Sequence, residues 1–344
     1  MLKNFQYRIF PTNKQLNSLE STLEECRWLY NHLLENRKNA YEQEGKGLSC
    51  YGQQATYPML KEQRPSLNSV HSQVLQNVAV RIDLAMKAFY RRVKAGEKPG
   101  YPRFKGVARY DSFCFPQSGF SITHDNRVSL SKIGAVKMVY HRPVRGSIKT
   151  CTLHRSSTGK WYVTFSCEYE PEHLEPVPTE VGIDVGLKTF AMLSTGEEIA
   201  NPRFFRMEEK ALAKVQRKHA KLAKGTQERR THRKVVARVH ERAKFKRHNF
   251  THQQSRQIVD CFGVICVEDL HVNRMMHNHC LAKSIHDAAW PAFSRNCPAK
   301  RQKLADNSSR STPPTPRRIA AGVIIDKRCH SRSECIIVPA VSCR

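Results

Sequence analysis

The chain of 344 residues sets 58 Lys and Arg against 30 Asp and Glu, a net charge of +28, and is long enough for two or three modules that each bury a core. Such an excess exceeds what solubility needs and points to a polyanionic partner, nucleic acid being the commonest. No apolar run reaches bilayer length and Met1-Leu2-Lys3-Asn4-Phe5 lacks a signal-peptide core, so the expectation is a cytoplasmic protein whose twelve cysteines, none in a Cys-x-x-Cys pair, are free thiols.

Phe5-Gln6-Tyr7-Arg8-Ile9-Phe10 alternates as a strand and stops at Pro11. Thr12 with Gln15 forms a capping-box pattern, and Leu16, Leu19, Leu23, Cys26 and Leu33 follow at helical spacing. Val74, Val78, Ile82, Ala85 and Phe89 predict a second helix, with Gln73, Gln76, Arg81 and Lys87 off its apolar face. From Arg91 to Lys105 cations alternate with aromatics and turn formers. That stretch is expected to leave the helix and offer Lys98, Tyr101, Arg103 and Lys105 to phosphates and bases.

Residues 111–169 turn to strands. Trp161, Val163, Phe165 and Cys167 alternate with polar neighbours, and Ser156-Ser157-Thr158-Gly159 joins them to Thr150-Cys151-Thr152-Leu153 as a hairpin, which predicts a small antiparallel barrel. Pro171, Pro176 and Pro178 mark a linker. Beyond it, the strand 181–185 and the strand 189–193 are followed by the turn Ser194-Thr195-Gly196-Glu197. Residues 203–247 form a helix-compatible run with seventeen Lys and Arg against Glu208, Glu209, Glu228 and Glu241. A merely solvated helix mixes its signs more evenly, so Lys214, Arg217, Lys218, Lys221, Arg229, Arg230, Arg233, Lys234 and Arg238 are read as a surface that tracks a phosphate backbone.

Two apolar strands end in an acid: Val181-Gly182-Ile183-Asp184, before Gly186, and Val264-Ile265-Cys266-Val267-Glu268. A carboxylate at the end of a buried strand is costly unless paired or bound to metal, so Asp184 and Glu268 are the candidate catalytic and metal-ligating residues. Asp269 points to the opposite face of a continuing strand and is treated as a neighbour. Gly-Ile-Asp-x-Gly also opens the phosphate site of actin-like and sugar-kinase ATPases, but the later glycine-rich adenosine loop has no counterpart in a chain without a Gly-Gly pair. His277-Asn278-His279 spells the letters of HNH nucleases without their hairpin and reads as a polar loop.

Residues 1–293 resemble the OrfB/TnpB family, encoded by bacterial insertion sequences and related to the type V CRISPR nucleases. The resemblance is carried by Tyr7-Arg8-Ile9-Phe10-Pro11-Thr12 with Gln15, by Arg27-Trp28-Leu29-Tyr30-Asn31, by Gln76-Asn77 and by Gly100-Tyr101-Pro102-Arg103-Phe104-Lys105. Gly182-Ile183-Asp184-Val185-Gly186, Val267-Glu268-Asp269-Leu270 and Asp287-Ala288-Ala289-Trp290 complete it in family order. It implies an α+β multidomain protein: an oligonucleotide-binding-like barrel over 1–10 and 111–172, an inserted helical recognition part over 12–110, and an RNase H-like (RuvC) nuclease domain over 179–293 with the basic helical insertion 203–247. It further implies RNA-guided cleavage of DNA, guide RNA and DNA as partners, Arg8 among the nucleic-acid-contacting residues, and two Mg2+ ions held by three acids. Asp184 and Glu268 match the first two.

Past Phe293 the pattern breaks. The family continues with a helix, a four-cysteine zinc ribbon and the third acid, whereas 294–344 is rich in Ser, Pro and Arg without periodicity, the composition of a disordered tail. Codons for Arg295 to Ser311, read from their third base, permit a helical segment. Those around Pro314 to Val323 permit Cys-Ser-Gly-Cys, and those for Glu334 to Val341 permit Cys-Pro-Cys-Cys, in family order. The tail therefore reads as frameshifted, the nuclease domain as incomplete at its C-terminus, the zinc ribbon as absent and cleavage as lost. Asp306, Asp326 and Glu334 stand in no family-like context, and Cys329, His330, Cys335 and Cys343 fit no ribbon spacing. The competing expectation is a catalytically dead, RNA-guided DNA-binding regulator.

Overall fold

The computed structural model describes residues 2–45, 47–107, 109–170, 178–268, 270–305, 324–326 and 335–338. The chain divides into two compact units, Leu2–Tyr169 and the part from Glu170 onward.

In the first unit β1 (Leu2–Phe10) leads into α1 (Asn13–Glu44), followed by α2 (Cys50–Ala55), α3 (Tyr57–Gln63) and α4 (Ser72–Lys94). The capping box forms as expected: Thr12 Oγ1 accepts from the Gln15 N–H, and Gln15 Oε1 accepts from the Thr12 N–H at 3.0 Å. Gln15 also donates to the Ala135 carbonyl at 2.9 Å, tying the start of the helix to the sheet. Leu19, Leu23, Cys26 and Leu33 are buried, as are Val74, Val78 and Ile82 on α4. Polar bolts close the bundle. Glu25, buried on α1, takes a two-pronged bond from Arg64 at 2.6 and 3.0 Å, and Arg37 donates to Gln53 at 2.6 Å. The helix α4 keeps Arg91 to Lys94, which the sequence assigns to a loop; its buried stripe ends at Met86 and this last turn is exposed.

Six further strands follow: β2 (Ser112–Phe115), β3 (Phe120–Ile122), β4 (Arg127–Leu130), β5 (Gly134–Met138), β6 (Ser147–Arg155) and β7 (Trp161–Glu168). The order is β2-β6-β7-β1-β5-β4-β3, with every pairing antiparallel. Laid flat, seven strands span about 29 Å, yet the edge strands β2 and β3 are joined by residues 116–119, a link that reaches about 17 Å at most. The sheet must therefore curl, and Phe115 and Phe120 meet across the gap with ring centroids 6.4 Å apart.

The expected barrel nevertheless does not close, because β2 and β3 form no ladder. Pro116 offers no N–H at the end of β2. Gln73 of α4 accepts the Ser118 N–H at 2.9 Å, and His71 lies against Phe115 with centroids 5.5 Å apart, so the start of α4 fills the seam. Inside the curl, Tyr7, Phe113, Trp161 and Phe165 are buried.

The second unit opens with β8 (Glu180–Val185), β9 (Thr189–Leu193) and β10 (Glu198–Ala200), antiparallel neighbours as the turn residues predict. The basic run is two helices rather than one, α5 (Phe204–Lys221) and α6 (Gln227–Cys261). Thr226 caps α6 through the Arg229 N–H, and Gly225 before it takes a left-handed φ of 89°. Next come β11 (Val264–Glu268), α7 (Val272–Met275), α8 (Ala282–Ala288), α9 (Trp290–Ala305), β12 (Ile324–Asp326) and β13 (Cys335–Val338). The sheet order is β10-β9-β8-β11-β13-β12, with β8 and β11 parallel. Val181, Ile183, Phe190, Ile265 and Val267 pack with Ile258 of α6, Ile285 of α8 and Phe293 of α9.

Within 294–344, where the sequence predicts disorder, the described residues form the later part of α9 and the strands β12 and β13. The linker residues 171–177 and most of that terminal stretch lie outside the described residues.

Gly146 and Gly45 both adopt left-handed backbone, φ 85° and 67°, but only Gly146 is crowded: a Cβ there would stand 2.0 Å from the Glu168 carbonyl oxygen, whereas none of the described atoms lies within 4 Å at Gly45. Gly45→Ala should cost about 1 kcal/mol from backbone strain alone. Gly146→Ala should cost at least about twice that, since the β6–β7 backbone must shift. Urea denaturation of the two variants provides the comparison, and equal midpoints would contradict the crowding.

Candidate metal and nucleic-acid site

Parallel pairing of β8 with β11 sets Ile183 opposite Val267 and Gly182 opposite Cys266. The next residue on each strand is the acid, so Asp184 and Glu268 stand side by side where the strands end. Val181, Ile183 and Val185 point into the core, which turns Asp184 to the other face and leaves it exposed; Glu268 is half-buried. The Glu268 carboxyl is pushed above the usual carboxylate range, first by burial, then by the Asp184 charge beside it and the hydrogen bond between the two. Such a bond needs a proton on one of the carboxyls. Two acids facing each other in this way share protons readily and release them to a cation. Asp269 lies outside the described residues, and among the described residues no group of three or more His, Cys, Asp or Glu is arranged to hold a metal.

The predicted cations fall into separate places. Arg8 is exposed on β1 and its guanidinium covers the Phe10 ring at 4.5 Å. Lys98 and Arg103 are exposed on the loop after α4, and Tyr101 leans edge-on against Phe89 with centroids 5.5 Å apart. The loop is not loose at its end. Asn31 accepts from the Lys105 N–H at 2.7 Å and donates to its carbonyl at 3.0 Å, while Arg27 donates to the same carbonyl at 3.2 Å. Thus the block Arg27-Trp28-Leu29-Tyr30-Asn31 on α1 clamps the block Gly100-Tyr101-Pro102-Arg103-Phe104-Lys105, and the Lys105 ammonium lies 5.7 Å from the Tyr30 ring.

On the other unit, Lys214, Arg217, Lys218 and Lys221 are exposed along α5, and Arg230, Arg233, Lys234 and Arg238 along α6. Arg229 differs: it is half-buried and donates to the Leu222 carbonyl, closing the turn between the helices. Its first duty is structural. His277-Asn278-His279 is an exposed turn, as read from the sequence.

Two residues outside the predicted set hold the basic hairpin in place. Glu208 is buried on α5 and binds Arg242 at 3.2 Å and Lys246 at 3.1 Å, both on α6. Asp287, buried on α8, accepts the Phe205 N–H at 2.8 Å and so caps α5 from another element; Arg247 of α6 stands 3.8 Å away. Burial pushes the Asp287 carboxyl up, and the Phe205 N–H and Arg247 pull it partly back. The block Asp287-Ala288-Ala289-Trp290 is therefore an anchor for the hairpin. An acid followed by two alanines and a tryptophan was its signal, but its partner lies 82 residues away.

Residues 164–279 match the profile of a family described as "Probable transposase", OrfB_IS605, and residues 1–46 match its companion described as "Helix-turn-helix domain". The latter segment is a strand and one unbroken helix, so its described residues contain no helix-turn-helix. A protein of Streptomyces pristinaespiralis assigned as an RNA-guided DNA endonuclease is 32% identical over 295 residues, 83% of this chain and 71% of that protein. InsQ of Escherichia coli strain K12, assigned to the same activity, is 27% identical over 281 residues, 80% of this chain and 67% of that protein. A chain solved by cryo-EM in a Cas12f1-sgRNA-target DNA complex aligns with a TM-score of 0.49 at 11% identity, over 82% of this chain and 70% of that one.

If the two acids repel and share protons as described, Asp184→Asn should bring the Glu268 titration down toward the ordinary glutamate range, because the amide carries no charge and can donate to the carboxylate. The linked stability follows in sign. A folded-state value raised above the unfolded one favours folding below the unfolded value, and that contribution is lost as pH rises through the folded value. Without divalent cations, Asp184→Asn should thus melt above the parent at pH 7, and the gap should shrink on acidification. Carboxyl-carbon NMR titration with parallel melting curves tests this, and an unchanged Glu268 midpoint would contradict it.

Proposed function

The chain belongs to the OrfB/TnpB family, and on that premise we propose that it is an insertion-element-encoded protein of the RNA-guided DNA endonuclease type that binds DNA and guide RNA but has lost cleavage. The single observation that carries this reading is the Asp184–Glu268 pair at the ends of parallel strands β8 and β11. Three antiparallel strands with a parallel fourth beside the first, β10-β9-β8-β11, support reading the unit as RNase H-like.

The donor set consists of two carboxylates without thiolate or imidazole, which suits a hard divalent cation such as Mg2+. In phosphodiester hydrolysis such ions activate water and stabilise the departing oxygen. Asp184 and Glu268 would hold that charge at the sheet end, where Val181, Ile183 and Val267 beneath keep the backbone fixed. Two acids suffice to attract one ion and do not complete the two-ion arrangement. The stretch after about Phe293 is out-of-frame sequence standing where the family carries its zinc ribbon and third acid. The nucleic-acid-binding surfaces remain: Arg8, the clamped loop with Lys98, Tyr101, Arg103 and Lys105, and the exposed cations of α5 and α6. Sequence choice then comes from guide pairing rather than from these side chains.

One observation favours a regulator that binds without cutting. Phe293 and Cys297 of α9 are buried in the second unit's core, so packing continues across the position where the frame breaks. A regulator of that kind folds cooperatively and stays soluble.

The expected outcome is that the chain as it stands, loaded with its guide RNA, shows no Mg2+-dependent cutting of target DNA above the Asp184→Ala background. A version translated in the alternative frame after Phe293 should cut, and Asp184→Ala should abolish that cutting. Cleavage by the present chain, or a nucleotide sequence whose alternative frame lacks the two Cys-x-x-Cys knuckles, would overturn the account.

A further inference from the structure

Helices α6, α7, α8 and α9 border an open cavity of about 510 Å³ in the second unit. Six basic side chains line it: Lys244, Arg247, His248 and His252 from α6, His286 from α8 and Arg295 from α9. No carboxylate does so among the described residues. Asp287, 3.8 Å from Arg247, meets this cluster from behind.

The part of the cluster on α6 and α8 recurs regularly, while Arg295 lies beyond the frame break and joins it by position alone. Lys244, Arg247, His248, Thr251 and His252 recur at three- and four-residue intervals and so share one face of α6. The Nε2 atoms of His248 and His252 are 3.1 Å apart. Arg247 is held in place by the His286 carbonyl at 3.0 Å and the His286 ring at 3.2 Å. The opening turn of α9, with Pro291 and Ala292, borders the cavity and adds the positive end of a helix dipole. Cations gathered this closely repel one another, and an anion relieves that repulsion. A transition metal, which a His pair at this spacing could otherwise chelate, would add to the repulsion from Lys244, Arg247 and Arg295.

The remainder of α6 indicates what kind of anion. Counted at helical periodicity, Arg230 and Lys234 fall on the same face as Lys244, His248 and His252, with Ala237 and Glu241 between the two groups, and away from Arg242 and Lys246, which grip Glu208 of α5. From Arg230 to His248 that face runs about 27 Å along the helix, longer than any free phosphate and suited to several successive phosphates. Lys244 and Arg295 are exposed at the mouth, with Arg247 and His252 deeper.

We infer that this cavity is a phosphodiester-binding station, in which a backbone phosphate of a nucleic-acid strand lying along α6 seats among Lys244, Arg247, Arg295 and the histidines. The inference rests on the nucleic-acid-binding reading above and assigns that reading a specific pocket away from the two acids.

The test uses the full chain with 15N-labelled histidine and the double variant Lys244→Gln/Arg295→Gln, whose positions are exposed. The probes are a twelve-nucleotide single-stranded DNA and, separately, inorganic phosphate. The oligonucleotide should shift the His248, His252 and His286 ring signals, and the double variant should flatten the log–log salt dependence of its affinity by about 1.4, from two lost contacts at about 0.7 each. Inorganic phosphate at equal concentration should leave those signals in place. Oligonucleotide binding with unmoved histidine signals and an unchanged salt slope overturns the station while leaving the family reading intact. Histidine shifts caused by phosphate but not by the oligonucleotide also overturn it, in favour of a free-phosphate site. A parent chain that binds no oligonucleotide overturns both the station and the nucleic-acid-binding reading on which it rests.

Discussion

The second unit depends on one pairing. Parallel alignment of β8 and β11 buries Val181, Ile183, Ile265 and Val267 on one side of the sheet and leaves the acids that follow them adjacent on the other. Parallel strands need a crossover, and here that crossover consists of the hairpin strands β9 and β10 followed by α5 and α6. The same constraint therefore creates the carboxylate pair and obliges the chain to carry a long helical excursion between its members. That excursion bears most of the unit's positive charge.

An excursion so basic repels itself, and three devices restrain it. Glu208 ties α5 to α6 through Arg242 and Lys246, Asp287 caps α5 while meeting Arg247, and Arg229 closes the turn. Each restraint leaves the outward cations of both helices untouched. The first unit follows a similar logic, in which buried pairs such as Glu25 with Arg64 fix the bundle and the backbone of Lys105 is clamped so that Tyr101, Arg103 and Phe104 stay exposed.

Local rules were legible in the sequence wherever they act within one element. Alternation placed β7, the Thr12 box placed the start of α1, and an acid at the end of each apolar strand marked Asp184 and Glu268. Features that depend on distant partners were not. Barrel closure was expected from the alternating strands and their hairpin, but whether edges meet is decided by Pro116 and by α4 filling the seam. The break between α5 and α6 was in fact written locally, in Gly225 and the capping Thr226, and the density of Lys and Arg around it masked that signal. Asp287 looked like one letter of a motif because its bond to Phe205 crosses 82 residues.

The account stands on the claim that Asp184 and Glu268 form an incomplete acid set that attracts one hard divalent ion. Titration of the full chain with Mn2+, followed by the loss of the free-ion EPR signal, tests that claim without reference to cleavage. The account predicts a single weak site that Asp184→Asn removes. Two tight sites, or a single site indifferent to Asp184→Asn, would contradict it.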